Sequence, residues 1–275
     1  MKRWLTIFLA AAIALYASGV FCESGTSEID KIAGLASWLL GEVKEIQQEQ
    51  REQEQVLDAM LWMYDETNPA LPDDVPVIAA QLKSLGIEGI TDEHVDEMVS
   101  AANDAQMYGY VCSRGMVALN LLSAVGMGMY DDSFVWHPSS DTVFALDMEL
   151  FGGETLYGDF FRGLNAICCG EFVFSGVEED YGQADLAEGV GIIGLSFLMN
   201  GEAYAVDAMM MQDWFDTGVF NAAAEIAVHP DNGKRLYAMY DGMQGLIIFY
   251  NTPEWAVKFE AETGCPLLES LPDSD

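Results

Sequence analysis

The residues best suited to chemistry are three carboxylates in segments that alternate apolar and polar side chains. Asp147 and Glu149 lie two positions apart on a predicted strand, so both point to its polar face. Asp207 occupies a matching place, because Ala145-Leu146-Asp147 aligns with Ala205-Val206-Asp207 at an offset of 60 residues. Three gathered carboxylates could serve as general acid and base in an exported hydrolase, or hold Ca²⁺. The alternative is a solvated polar face on each strand, because nothing in the sequence makes the strands neighbours.

A second candidate site is aromatic. Trp214 lies between acids in Asp213-Trp214-Phe215-Asp216, and Tyr250 and Trp255 follow later in the chain. Exposed aromatic rings beside acids can bind sugars or cations, which makes these three residues candidate ligand contacts. The alternative is that the two tryptophans anchor the core while the aspartates cap a helix.

Cysteine and histidine suggest little chemistry. Cys112 or Cys169 with His137 could form a nucleophile and base, but Cys112 lies in an apolar helical stretch where a core thiol is expected. No CxxC pair exists and only three histidines are present, so no metal site is predicted. The chain also lacks nucleotide-binding, zincin, serine-hydrolase and EF-hand motifs, so we predict no cofactor and favour a non-enzymatic protein.

The N-terminus predicts export. A basic start is followed by an uncharged run from Trp4 to Phe21, so residues 1–22 read as a signal peptide or anchor. Cleavage, a retained anchor and lipidation of Cys22 remain open, and membrane contact is expected only through this segment if it is uncleaved. The mature protein is therefore predicted to be secreted or attached to the cell surface. At most one disulfide is expected there, from Cys168 or Cys169 to Cys265.

The charge is strongly negative. The chain has 45 acidic and 11 basic residues, a net charge of −34. Loss of Lys2 and Arg3 with a signal peptide leaves 9 basic residues and a net charge of −36. Such a surface repels phosphate backbones, which excludes nucleic acid as a partner. With 51% hydrophobic residues the chain can still form a core. Bound cations, a basic partner, a salty medium or plain solubility would each explain the acidity.

Periodicity divides the chain into two parts. Residues 27–130 are predicted to be helical and to begin with a long helix over 27–64, whose polar centre argues against a tight coiled coil without excluding it. Residues 140–266 mix strands and helices, with an acidic loop at 178–190 and hairpins at Asn200-Gly201 and Asp241-Gly242. Residues 267–275 are predicted to be a disordered tail.

The second part contains a weak internal repeat. Besides the strand match, Gly158 and Phe160 align with Gly218 and Phe220, and Gly194-Leu195 aligns with Gly245-Leu246. The shared unit is β-α-β-β. We therefore predict an α+β fold in which two such units form one antiparallel sheet with helices on one face.

Residues 140–266 also resemble a loose group of exported, uncharacterised proteins of gut-type Gram-positive bacteria. The segments that carry this resemblance are residues 143–149, 213–217, 240–242 and 249–255. The resemblance implies export and a compact domain, with no activity and no catalytic residue. Together these features predict an acidic binding module with an unknown protein or small-molecule ligand at the cell exterior. The alternatives are the hydrolase described above and an inhibitor or immunity-like protein that binds a basic partner.

Overall fold

A computed structural model describes residues 69–110, 112–149, 156–241 and 244–272. The predicted segment at 1–22 and the predicted long helix at 27–64 lie outside these residues. The described elements, in chain order, are β1 (Pro69–Ala70), a 3-10 turn (Pro72–Asp74), α1 (Val75–Ser84), α2 (Asp92–Met107), β2 (Cys112–Ser113), α3 (Arg114–Gly126), β3 (Met129–Tyr130), β4 (Trp136–His137), β5 (Phe144–Asp147), α4 (Leu156–Cys168), β6 (Phe174–Asp185), β7 (Val190–Met199), β8 (Glu202–Met211), α5 (Thr217–Ile226), β9 (Arg235–Tyr240), β10 (Gly245–Asn251) and α6 (Pro253–Thr263). This mixture of helices and antiparallel strands confirms the predicted α+β class.

The helix starts follow their capping residues. Thr91 caps α2 by accepting a hydrogen bond from the backbone N–H of His94 (3.2 Å), and Thr252 caps α6 in the same way. Helix α3 begins at Arg114, because Ser113 supplies its cap and Cys112–Ser113 pairs as a strand with Pro69–Ala70. Among the described helices, none has the length and apolarity needed to cross a bilayer.

The larger strands form two sheets rather than the single sheet predicted. The central sheet has the order β5-β10-β9 and the outer sheet the order β6-β7-β8. Helix α4 contacts both: Phe160 packs on Phe144 of the central sheet, whereas Phe161 packs on Phe174 and Phe197 of the outer sheet. Neighbouring residues on a helix point about 100° apart, so two adjacent buried phenylalanines need cover on two sides. One sheet with helices on one face could not provide that cover.

The predicted duplication is present, and the two repeated units exchange strands with each other. The order β5-α4-β6-β7 is repeated as β8-α5-β9-β10, and the hairpin of each unit pairs with the first strand of the other. The matched residues also share a register, because Asp147 lies opposite Gly245 and Asp207 lies opposite Gly194. The two units therefore complete one another's sheets.

Two cores lie on opposite faces of the central sheet. One is enclosed by the two sheets with α4 and α5, and the other lies between the central sheet and α1, α3 and α6. Strands β9 and β10 are therefore buried along almost their whole length. In the outer sheet, β7 alternates, with Ile193, Leu195 and Phe197 buried and their neighbours facing solvent more openly.

Strand β6 corrects one prediction. Residues 178–190 were expected to form an acidic loop, but the strand continues to Asp185 and only a short turn joins it to β7. Register shifts between Ser175 and Glu178, and between Asp180 and Gln183, interrupt the alternation that would have revealed a strand.

The C-terminal segment corrects a second prediction. Residues 267–275 were expected to be disordered, yet Leu268 forms two backbone hydrogen bonds with Ala238 and Leu271 is only 3% exposed. Its partners on β9 and α5 are distant in sequence, so no local pattern indicates its order.

Of the two alternatives, no disulfide or one, the structure has no bond from Cys168 or Cys169 to Cys265. Cys168, Cys169 and Cys265 are free thiols. Cys168 and Cys265 belong to cores on opposite faces of the central sheet, while Cys169 is exposed. The sheet itself separates the two buried sulfur atoms.

Candidate functional site

The three candidate carboxylates are divided between the two sheets. Asp147 ends β5 of the central sheet, where its Oδ1 accepts a hydrogen bond from the backbone N–H of Glu149 (3.0 Å). Asp207 lies on β8 of the outer sheet and is exposed. In the described part of the chain, no three histidine, cysteine or acidic side chains are grouped so that they could hold a metal ion. The structure therefore does not gather these carboxylates into one site.

The three candidate aromatic residues are likewise separated. Tyr250 is buried in the core between the sheets. Trp255 packs on the opposite side of the central sheet against Phe249 and Phe259, and its Nε1 donates to the carbonyl oxygen of Leu85 (2.7 Å). Trp255 thus anchors the core, and only Trp214 borders the surface of the outer sheet.

Trp214 is held in place by the start of α5. This helix begins at Thr217, and Asp216 caps it by accepting from the backbone N–H of Gly218 (2.8 Å). The other carboxylate oxygen of Asp216 accepts from the backbone N–H of Met209 on β8 (2.5 Å). This tie fixes the turn after β8 and brings Trp214 beside the outer sheet.

The solvent side of the outer sheet, here called the outer face, carries an apolar strip at one end. Ile192 lies opposite Met209, and Val190 lies opposite Met211. Exposure is 52% for Val190, 37% for Ile192 and 52% for Met209. These residues line a shallow groove of about 670 Å³ together with Trp214. Large apolar side chains on an open sheet face are costly unless something covers them.

The rest of the outer face is acidic. Asp180 and Asp207 flank Gly194 in one row across the sheet, and Glu178 lies opposite Ser196 in the next. Because Gly194 has no side chain, nothing stands between the two aspartates. From residue 174 to residue 211 the sequence contains seven acidic residues and no lysine, arginine or histidine. The outer face therefore combines an apolar strip with acidic side chains that form no salt bridge among the described residues.

Neither candidate cysteine is paired with His137. The Nε2 of His137 lies 3.0 Å from Oδ2 of Asp131, and this contact lowers the pKa of Asp131. The Sγ of Cys169 faces the carbonyl oxygens of Ala166 and Asp141 instead. Within the described residues, no hydrogen bond joins a thiol to this imidazole. A thiolate–imidazolium pair is not formed.

A polar cluster around Glu171 has no signal in the sequence. Its Oε1 lies 2.5 Å from Nζ of Lys234, and its Oε2 accepts from the hydroxyl of Tyr250 (3.0 Å) and lies 3.8 Å from Nε2 of His229. The hydrogen bond from Lys234 lowers the pKa of Glu171, whereas burial and the Glu171 contact raise the pKa of Tyr250. Its members lie up to 79 residues apart, so only the fold assembles them. Because these groups bind one another, the cluster acts as a tie between the two units.

Comparison with known proteins returned no match: no family model, no curated protein and no solved structure corresponds to this chain.

Proposed function

We propose that this protein is an exported, non-enzymatic interaction module whose outer face docks a basic protein partner. The observation that carries the proposal is the apolar strip of Val190, Ile192 and Met209 beside the acidic side chains of that face. Export follows the prediction from residues 1–22 and is part of the proposal.

The apolar strip supplies the contact that excludes water. Monomeric proteins rarely leave several large apolar side chains together on an open face, and such patches mark interaction sites. Met209 and Met211 add flexible thioether side chains, which adjust to the shape of a partner. Trp214 at the border adds a large ring of the kind that dominates binding energy at interfaces.

The carboxylates supply attraction and orientation. Asp180, Asp207 and Glu178 present one sign of charge with no basic neighbour in the three strands. A basic partner is drawn to such a surface, and the association rate falls as salt screens the field. The inhibitor or immunity-like alternative is a special case of this proposal, in which the partner's basic surface is itself a functional site. No hydrolase is proposed, because Asp147 and Asp207 lie in different sheets.

The test uses the immobilised full chain and the envelope proteins of its native source. The first comparison replaces Asp180 and Asp207 by asparagine, with the pair Asp96→Asn and Glu97→Gln on the exposed side of α2 as a control of equal charge change. Removal of two exposed charges, at about 0.5 kcal/mol each, predicts a loss of affinity of about fivefold for the outer-face pair. The control pair should change the affinity little.

The second comparison addresses the apolar strip. The double substitution Ile192→Ser and Met209→Ser should lower the affinity for the same partner by more than tenfold, because each position loses about 1 kcal/mol or more of buried apolar contact. The same partner should be retained by the unmodified chain at low salt and released at high salt. Equal binding by all variants, or binding that ignores salt, would overturn the proposal.

A further inference from the structure

The β9 edge of the central sheet is covered by the chain's own C-terminal segment, residues 267–272. The N–H and C=O groups of Ala238 on β9 form two hydrogen bonds with Leu268, both 2.8 Å long. The side chain of Asn221 on α5 donates to the carbonyl oxygen of Leu271 (2.8 Å) and accepts from its N–H (2.7 Å). The segment thus forms a single antiparallel bridge to β9 and is tied to α5 through Asn221.

The strand exchange creates an equivalent edge on the outer sheet. Strand β6 corresponds to β9 and helix α4 to α5, and Leu195, Phe197 and Met199 of β7 correspond to residues 246, 248 and 250 of β10. Ala238 pairs with Ile248, whose counterpart on β7 is Phe197. Phe197 lies beside the register shift between Ser175 and Glu178, so the equivalent stretch of β6 is the irregular segment that contains Val177. In the described part of the chain, β6 pairs with β7 alone, so this edge has no covering strand. A groove of about 410 Å³ lies beside it, between α4 and β6.

From this equivalence we propose that the edge of β6 binds an extended basic segment of another protein, which adds to the outer sheet as a short antiparallel strand. Strand addition at an exposed edge derives affinity from main-chain hydrogen bonds and specificity from alternate side chains. The site is the edge of the sheet. It shares Glu178 and Asp180 with the outer face, but it does not need the apolar strip of Val190, Ile192 and Met209.

The side chains around the edge define the segment. Glu178 and Asp180 point to the solvent side, so they favour lysine or arginine at alternate positions. Phe161, Val177 and Glu179 line the groove on the other side. Glu179 already accepts hydrogen bonds from the backbone N–H of Gly158 (3.1 Å) and the hydroxyl of Tyr181 (2.6 Å), so Phe161 and Val177 favour small apolar residues between the basic ones. The register shifts on either side of 178–180 keep the regular stretch short.

The groove also contains polar groups that can orient a segment. The side chain of Arg162 is 41% exposed and lines the groove, although its Nη1 contacts Asp159 and donates to the carbonyl oxygen of Trp136 (3.2 Å). Its remaining N–H groups are donors for a backbone carbonyl of an added strand. Asn165 pairs with both the N–H (2.7 Å) and the C=O (2.8 Å) of Phe174, which closes one end of the edge. A second copy of this chain is a poor occupant, because its C-terminal segment has three acids and no basic residue after Cys265.

The test uses the full chain and a short synthetic peptide of alternating lysine and valine. Two further peptides carry backbone N-methyl groups, one on every lysine and the other on every valine. In an added strand only one of these sets points its N–H groups toward β6, so one methylated peptide should lose about tenfold or more in affinity and the other should not. Hydrogen exchange should slow for backbone amides between residues 176 and 182.

The controls separate this site from the outer face. A peptide of alternating glutamate and valine should not bind. The double substitution Glu178→Gln and Asp180→Asn should lower the affinity for the lysine–valine peptide. The pair Ile192→Ser and Met209→Ser should leave its affinity unchanged, because those side chains lie away from the edge. Equal affinity of both methylated peptides, or protection of β8 instead of β6, would overturn the inference.

Discussion

Asn221 and Asn165 offer a paired test of how the two sheet edges are closed. Each side chain makes two hydrogen bonds to one backbone unit: Asn221 to Leu271, and Asn165 to Phe174. The substitutions are Asn221→Ala and Asn165→Ala. Both should destabilise the protein, but only the first should release the C-terminal segment.

The magnitude follows from the bonds that are lost. Leu271 and Phe174 are each 3% exposed, so water does not readily replace the missing partner. At about 1 kcal/mol per hydrogen bond, each alanine variant should lose about 2 kcal/mol of unfolding free energy. With a urea slope of about 2 kcal/mol per molar, the unfolding midpoint should fall by about 1 M.

The assay joins urea unfolding with hydrogen exchange. Asn221→Ala should speed exchange at residues 268 and 271, whereas Asn165→Ala should leave those amides protected. Asn103→Ala is the control, because its side chain makes one exposed hydrogen bond to its own helix and should cost well under 1 kcal/mol. If Asn221→Ala were no more damaging than Asn103→Ala, the C-terminal segment would not stabilise the edge of β9, and an added segment at the equivalent edge of β6 would not be expected.

Three further outcomes are expected. Glu171→Gln should lower the unfolding free energy by about 1 kcal/mol near pH 7, because the folded carboxyl has a pKa below its ordinary value of 4.5. That stability is present above pH 4.5 and is lost as pH falls through the lowered pKa. An equal cost at pH 3 and pH 7 in urea unfolding would contradict this expectation. Gly201→Ala should cost about 1 kcal/mol in the same assay, since φ is 88° in the β7–β8 turn, and no change would refute the turn geometry. In the folded protein Cys169 should react with iodoacetamide before Cys168 and Cys265, because burial raises the pKa of the latter two to about 12; uniform labelling by mass spectrometry would count against the two cores.

Local signals in the sequence predicted the elements well. Asn200-Gly201 forms the expected hairpin turn, with φ of 51° and 88°. Thr91 and Thr252 cap helices, a role that threonine side chains favour. The weak repeat around Asp147 and Asp207 also predicted the element order of two units. These features depend on neighbouring residues or on a repeated spacing, which a sequence records directly.

The arrangement of those elements could not be predicted in the same way. The repeat indicates two units, but it does not say whether a hairpin pairs with its own first strand or with that of the other unit. The outer face depends on this choice, because β8 carries Asp207 and Met209 to the hairpin of the first unit. Trp214 and Asp207 were therefore predicted as parts of separate sites, whereas the structure places both on or beside one surface.

The strand exchange explains how this chain carries so concentrated a charge. The seven acidic residues between 174 and 211 repel one another, and an isolated hairpin of β6 and β7 would be marginal even without that repulsion. Strand β8 completes the sheet, and its own unit is bound into the central sheet through β9 and β10. Buried residues on the inner side of β7 then hold the acidic strands in place. A basic partner on the outer face would relieve the repulsion as it binds, so its binding should raise the stability of the whole exchanged pair and not of the outer sheet alone.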